Sequence, residues 1–118
     1  MMYRDAPAAI EWLCGVFGFS KHAVYAGPDN TIMHAELTLG GGMIMLGSRK
    51  GDEMSIPPML GVSLIVDDAD AIYARAKTAG AKMVVDIENK PYGGRGFSCK
   101  DPDGYTWHVG TYDPWAPK

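Results

Sequence analysis

The chain is poor in cysteine: its 118 residues include only Cys14 and Cys99. The two lie far apart and outside any metal-type spacing, and Cys14 falls inside a helical pattern, which reads as a buried free thiol. Basic residues are also few and scattered. Eleven Lys and Arg against fourteen Asp and Glu leave a net charge of -3, and no basic stripe exists of the kind that phosphate backbones require, which argues against a nucleic-acid partner. No apolar run approaches the ~18 residues of a membrane span, and no signal peptide precedes the first patterned segment. No obvious nucleophile stands out. What is present is 47% hydrophobic residues, enough for a globular core and against disorder. A cytoplasmic globular protein is the expectation.

The chain repeats itself. Asp5-Ala6-Pro7-Ala8-Ala9-Ile10 opens one helical segment and Asp68-Ala69-Asp70-Ala71-Ile72 opens another. At an offset of 62 residues Ala9 meets Ala71, Ile10 meets Ile72 and Gly18 meets Gly80. Each Asp is suited to an N-cap, Pro7 is tolerated in a first turn, and Gly18 and Gly80 stand where a C-terminal cap belongs. Ile10, Leu13, Cys14 and Phe17 form one apolar stripe. Ile72, Ala76 and Ala79 form a second with smaller side chains.

Strand patterns follow each helix. The first half predicts Ala23-Val24-Tyr25, Thr31 to Leu39, a turn at Gly40-Gly41-Gly42, and Met43 to Leu46. The second half predicts Leu60 to Val66, then its helix, then Lys82 to Asp86. It closes with a hairpin from Phe97 to Gly110 around the turn Asp101-Pro102-Asp103-Gly104. In its last strand Tyr105, Trp107 and Val109 alternate with Thr106, His108 and Gly110, so His108 takes the face opposite Trp107. The fold class is therefore α+β: a βαβββ module twice, about 1–47 and about 60–112, joined by a polar linker of about 48–59 within a single domain.

This order of residues resembles the glyoxalase/bleomycin-resistance/extradiol-dioxygenase superfamily, the vicinal oxygen chelate proteins, over nearly the whole chain. The resemblance rests on Tyr3-Arg4-Asp5-Ala6-Pro7-Ala8-Ala9-Ile10-Glu11-Trp12-Leu13, Phe17-Gly18-Phe19, His34-Ala35-Glu36-Leu37, Met43-Ile44-Met45-Leu46-Gly47, Val66-Asp67-Asp68, and Tyr92-Gly93-Gly94-Arg95 through Trp107. It looks closest to a generic glyoxalase-like subgroup. It implies modules whose mixed sheets curl into a cleft with the helices outside, and usually a homodimer. Metal enzymes of the family place ligands on the first and last strands of each module. Here the position expected to carry His in the fifth strand is Gly61, and Met43 to Gly47 contains no carboxylate. His108 stands on the last strand and is able to ligate. The first strand's ligand cannot be placed, because the chain as given opens almost directly before its helix; an ordinary strand needs about 5 more residues upstream. A catalytic divalent ion takes three protein ligands and an open position, so these departures imply no resident cofactor at the usual site.

Within that geometry His34, Glu36 and His108 are the catalytic candidates. His34 and Glu36 are two apart on a strand and share a face. With His108 they make either a polar group for acid–base work or ligand binding, or a solvated sheet surface. The same three are also the alternative metal set. Met45, Tyr92, Arg95 and His108 are the ligand-binding candidates. Arg95, between glycines, suits a carboxylate or phosphate, or else a salt bridge to Asp101 or Asp103. Tyr92 caps the cleft or packs beside Pro91. Met33, Met43, Met45, Met54 and Met59 supply an adaptable apolar wall or ordinary core filling. Trp12 and Trp107 are read as core anchors, and Trp115 as cover for an edge or a partner subunit. The leading expectation is a metal-free homodimer that binds a small hydrophobic or aromatic molecule, as drug-sequestering relatives do. The alternatives are a metal-dependent glyoxalase-like lyase or isomerase acting on a small carbonyl compound, and a purely structural role.

Overall fold

A computed structural model describes residues 1–49 and 61–114. The chain divides into two compact units, residues 1–57 and 58–118. Unit one runs β1 (Met2–Tyr3), α1 (Ala6–Phe17), β2 (Ser20–Ala26), β3 (Ile32–Leu39) and β4 (Gly42–Ser48). Unit two runs β5 (Gly61–Ile65), α2 (Ala69–Thr78), β6 (Lys82–Asn89), β7 (Arg95–Lys100) and β8 (Thr106–Gly110). Each unit is thus a βαβββ module, and the class is α+β.

The strand order is β1-β4-β3-β2 in one sheet and β5-β8-β7-β6 in the other. The first strand of each unit lies parallel to the last, and the remaining pairs are antiparallel. Repetition in the sequence is therefore repetition in topology. β1 is only two residues long, yet it is in register, with Met2 against Gly47 and Tyr3 against Ser48. β4 reaches Ser48, one residue into the predicted linker, and the Arg49 N–H still bonds to the Tyr3 carbonyl. The rest of that linker, with Met54 and Met59, lies outside the described residues, as does Trp115.

Both helices begin where an aspartate satisfies a backbone donor that the first turn leaves unpaired. The Asp5 carboxylate accepts from Ala8 N–H and the Asp68 carboxylate from Ala71 N–H, each at 3.1 Å. α1 stops at Gly18, whose left-handed φ of 88° directs its N–H to the Cys14 carbonyl. α2 stops at Ala79, followed by Gly80 at φ 80° and a bond from Ala81 N–H to the Ala76 carbonyl. This double wrap over the last turn is the Schellman arrangement.

α1 buries Ala6, Ala9, Ile10, Leu13, Val16 and Phe17. Its stripe is rotated slightly from the predicted one: Val16 is inside and Cys14 is half-buried. α2 buries Ala69, Ile72 and Ala76. Ala79 is exposed because the helix has already ended there. Opposite α1 the sheet presents Ala35, Leu37 and Leu46; opposite α2 it presents Phe97, Cys99, Trp107 and Val109, all buried. Each fully buried large apolar side chain contributes about 1.5–3 kcal/mol, so Leu13, Phe17, Phe97 and Trp107 anchor their units. Among the described residues no helix is long and apolar enough to cross a membrane.

Candidate functional site

The faces of the two sheets turned away from their helices carry the polar residues. In unit two the pairing sets Ser63 against His108 and His108 against Ser98, so three side chains from β5, β8 and β7 stand in a row on one face. Trp107, Val109, Phe97 and Cys99 occupy the other face by strand alternation. Ser98 Oγ and His108 Nδ1 are hydrogen-bonded at 2.7 Å. Ser98 is buried, whereas His108 is exposed.

Gly61 explains the position of the imidazole. A Cβ placed on Gly61 would lie 2.9 Å from His108 Nε2 and 3.1 Å from Cδ2. Contacts that short would push the ring aside, so in its present place it occupies room that a side chain at residue 61 would claim. The position where the family resemblance expects a metal-binding histidine is thus filled by another histidine's ring from the neighbouring strand.

Ser63, Ser98 and His108 belong to a cavity of about 700 Å³. Its floor continues over Gly96 and Gly110, which add no side chain. Gly96 is required there, since a Cβ would come within 2.6 Å of the Val109 carbonyl oxygen. Ile65, Tyr92, Tyr112 and Pro114 add apolar wall. The rings of Tyr92 and Tyr112 meet edge to face at 5.0 Å, and Tyr92 is 63% exposed.

The cationic groups that line this cavity are already engaged. Arg95 Nε donates to both Asp70 carboxylate oxygens at 3.0 and 3.1 Å, and its Nη1 lies 3.4 Å from the Asn89 carbonyl oxygen. The expected alternative partners, Asp101 and Asp103, are not the ones used. Lys90 Nζ donates to Glu88 at 2.9 Å.

Of the ligand-binding candidates, Tyr92, Arg95 and His108 line the cavity of unit two. Met45 lies in unit one, on β4 opposite Glu36, and is 56% exposed. Around it the outward face of the first sheet also carries His34, Tyr25 and Met43. His34 Nε2–H donates to Glu36 Oε2 at 3.0 Å. A bulge in β2 between Lys21 and Ala23 brings His22 Nε2 to 3.9 Å from the other Glu36 oxygen. The Tyr25 ring lies 6.1 Å from that of His34.

The catalytic candidates therefore fall into two pairs: His34 with Glu36 in unit one, and His108 with Ser98 in unit two. Among the described residues no three His, Cys, Asp or Glu side chains form a group able to hold a metal ion. Sequence reasoning passed over Ser98, Ser63, Tyr112 and His22. Ser98 was within reach, because residues 98 and 108 are equidistant from the turn centre at 103. His22 was not, because the bulge that turns it toward Glu36 leaves no mark in the alternation.

Burial pushes the Cys99 thiol up to about 11, with the Asp101 charge adding to the effect. Burial also raises the Cys14 thiol, against the pull of Lys21. Neither is suited to act as a nucleophile at neutral pH.

An uncharacterized protein of Mycobacterium bovis is 32% identical over 119 aligned residues, covering 93% of this chain and 78% of its own length. Among solved structures, TioX from Micromonospora sp. ML1 is 30% identical, covers 93% of this chain and 92% of its own, and superposes with a TM-score of 0.74. The genomically encoded fosfomycin resistance protein FosX of Listeria monocytogenes, crystallised as a mutant with Mn(II) and dihydroxypropylphosphonic acid, shares 14% identity, covers 97% of this chain and 89% of its own, and has a TM-score of 0.76. At that identity the likeness is one of fold alone. The sequence profile of the Glyoxalase/Bleomycin resistance protein/Dioxygenase superfamily matches residues 1–109, and the chain belongs to that superfamily.

Proposed function

We propose that the protein binds a small hydrophobic or aromatic molecule on the outward face of its second sheet, with no metal at the family's usual position. One observation carries this reading: the cavity of about 700 Å³ in which Ile65, Tyr92 and Tyr112 stand beside the Ser98–His108 pair. Its volume lies within the 300–1,000 Å³ range typical of small-ligand sites, and its makeup, apolar with a few convergent polar groups, is that of such sites. Against a resident ion stands Gly61, which offers no donor and whose side-chain space is taken by the His108 ring. The Mn(II) in FosX belongs to FosX, and the residues here do not fit such an ion. The outward face of the first sheet, with exposed Tyr25, Met43 and Met45, favours a homodimer that covers it. The free thiols suit a cytoplasmic setting. Sequestration of an antibiotic is one role such a binder serves.

The test is the metal content of the purified protein, followed by melting shifts with Zn²⁺, Ni²⁺, Mn²⁺ or Fe²⁺ and with a panel of aromatic compounds. A ligand that prefers the native state must raise its stability. The expected result is no stoichiometric metal and a shift with aromatic compounds that the Tyr92→Ala variant loses. One equivalent of metal, or a metal-induced shift of several degrees lost in His108→Ala, overturns the reading in favour of a metal-dependent glyoxalase-like lyase or isomerase.

A further inference from the structure

We infer that His108 presents an N–H donor, Nε2–H, to the cavity, and that the cavity selects uncharged planar molecules bearing a hydrogen-bond acceptor; the ligand class rests on the binding role proposed above. The first step concerns Ser98. Ser98 is 4% exposed, and among the described residues His108 Nδ1 is the one hydrogen-bond partner of its hydroxyl. A hydroxyl brings one proton that must find an acceptor, and a buried donor left unmatched is costly. If Nδ1 carried the ring proton, Ser98 Oγ would accept it and its own O–H would have no acceptor among the described residues. If Nδ1 is bare, the Ser98 O–H donates to it and both groups are satisfied. The second arrangement places the proton of the uncharged ring on Nε2.

The second step concerns what Nε2–H meets. Gly61 leaves that edge of the ring uncovered by any side chain of its own, and His108 is exposed. The hydroxyl of Ser63 is the neighbouring polar group on β5. The cationic side chains of the lining, Lys90 and Arg95, are each paired with a carboxylate, Glu88 and Asp70, so their charges are balanced and the lining offers no unpaired cation to favour an anion. The tyrosine and isoleucine wall accepts a flat apolar body. A carbonyl, ether or ring nitrogen on that body is the complement of Nε2–H, whereas a carboxylate would be desolvated without a free cation to meet it.

Nitrogen-15 NMR of the histidine rings at alkaline pH tests the first step on the ligand-free protein. The expected spectrum shows the Nε2–H tautomer for His108 and a mixed population in Ser98→Ala; an Nδ1–H signature overturns the inference. Titration with 1-acetonaphthone, 1-ethylnaphthalene and 1-naphthoate tests the second. The ketone is expected to bind about five- to tenfold more tightly than the hydrocarbon, the worth of one hydrogen bond, with the carboxylate weakest and the ketone's advantage lost in His108→Phe. Equal binding of ketone and hydrocarbon removes the acceptor preference while leaving a binding cavity. Failure of all three to shift Tyr92 or Tyr112 resonances counts instead against the binding role and removes the ligand class with it.

Discussion

The indole N–H of Trp107 donates to the Asp101 carboxylate at 2.9 Å, tying the largest side chain of the second core to the turn that precedes it. The same carboxylate accepts the backbone N–H groups of Asp103 and Tyr105 at 3.0 and 3.1 Å. One buried side chain therefore closes the hairpin and satisfies the ring that packs beneath it. Asp101→Ala leaves these donors without their acceptor, at a cost of about 1–3 kcal/mol for each that stays buried and unpaired. The expected result is a loss of stability of about 3 kcal/mol or more in urea denaturation. Asp101→Asn, which keeps an acceptor oxygen, should lose less.

Gly61 and His108 should behave as a coupled pair. Gly61→Ala drives a methyl group against the imidazole and is expected to destabilise the fold or displace the ring. In the His108→Ala background the two ring contacts are gone and only the Thr106 carbonyl oxygen, at 3.3 Å, stays close to the added methyl group. A double-mutant cycle by chemical denaturation should show a coupling energy of about 1 kcal/mol, in the range for residues in contact. Additive single effects would mean that the ring does not lie there.

The thiols should differ in reactivity. Cys99 is fully buried and its thiol is raised to about 11, so at pH 8 only about one molecule in a thousand carries the thiolate, the reactive form. Cys14 is half-buried. Titration with an aromatic disulfide reagent at pH 8 should release one slow equivalent from the native protein. The second should appear only on unfolding.

On α2 the Tyr73 hydroxyl donates to the Asp86 carboxylate, while its ring meets Phe97 edge to face at 5.3 Å. That hydrogen bond, helped by the Ile87 backbone N–H, holds the Asp86 carboxyl below its ordinary 3.8. A carboxyl whose value is depressed on folding stabilises the native state above its unfolded pKa and loses that contribution as pH falls through the folded value. Tyr73→Phe keeps the ring contact and removes the hydroxyl. The stability gap between wild type and Tyr73→Phe should be constant at neutral pH and narrow once pH drops below about 4. A gap that does not change with acidification would show that the contact is not charge-assisted.

The fold was legible because its signals are local. Asp5 and Asp68 announce the helix starts, Gly18 and Gly80 the ends, and Asp101 to Gly104 the hairpin, each through backbone chemistry confined to a few neighbours. Alternation separated Ala35 and Leu37 from His34 and Glu36 as opposite faces of one strand, and the packing of α1 decides which is inward. The site was legible only in part. Placing His108 on a face needs the strand period alone, but placing its ring over Gly61 needs the pairing of β5 with β8 across more than forty residues. Arg95 could not be assigned from its own loop, since its partner Asp70 sits on a helix that only the tertiary fold brings near. Ser98 is an intermediate case, found by counting outward from the turn.

Duplication also gave the molecule two versions of one surface. The two sheets have the same strand order, yet one pairs an imidazole with a carboxylate and the other pairs it with a hydroxyl. In the second, the ring has settled into the space that a glycine leaves open. A larger side chain at residue 61 therefore meets the ring as it now lies, and the imidazole must swing aside to admit it. The two positions are linked: what stands at 108 sets the cost of each side chain at 61.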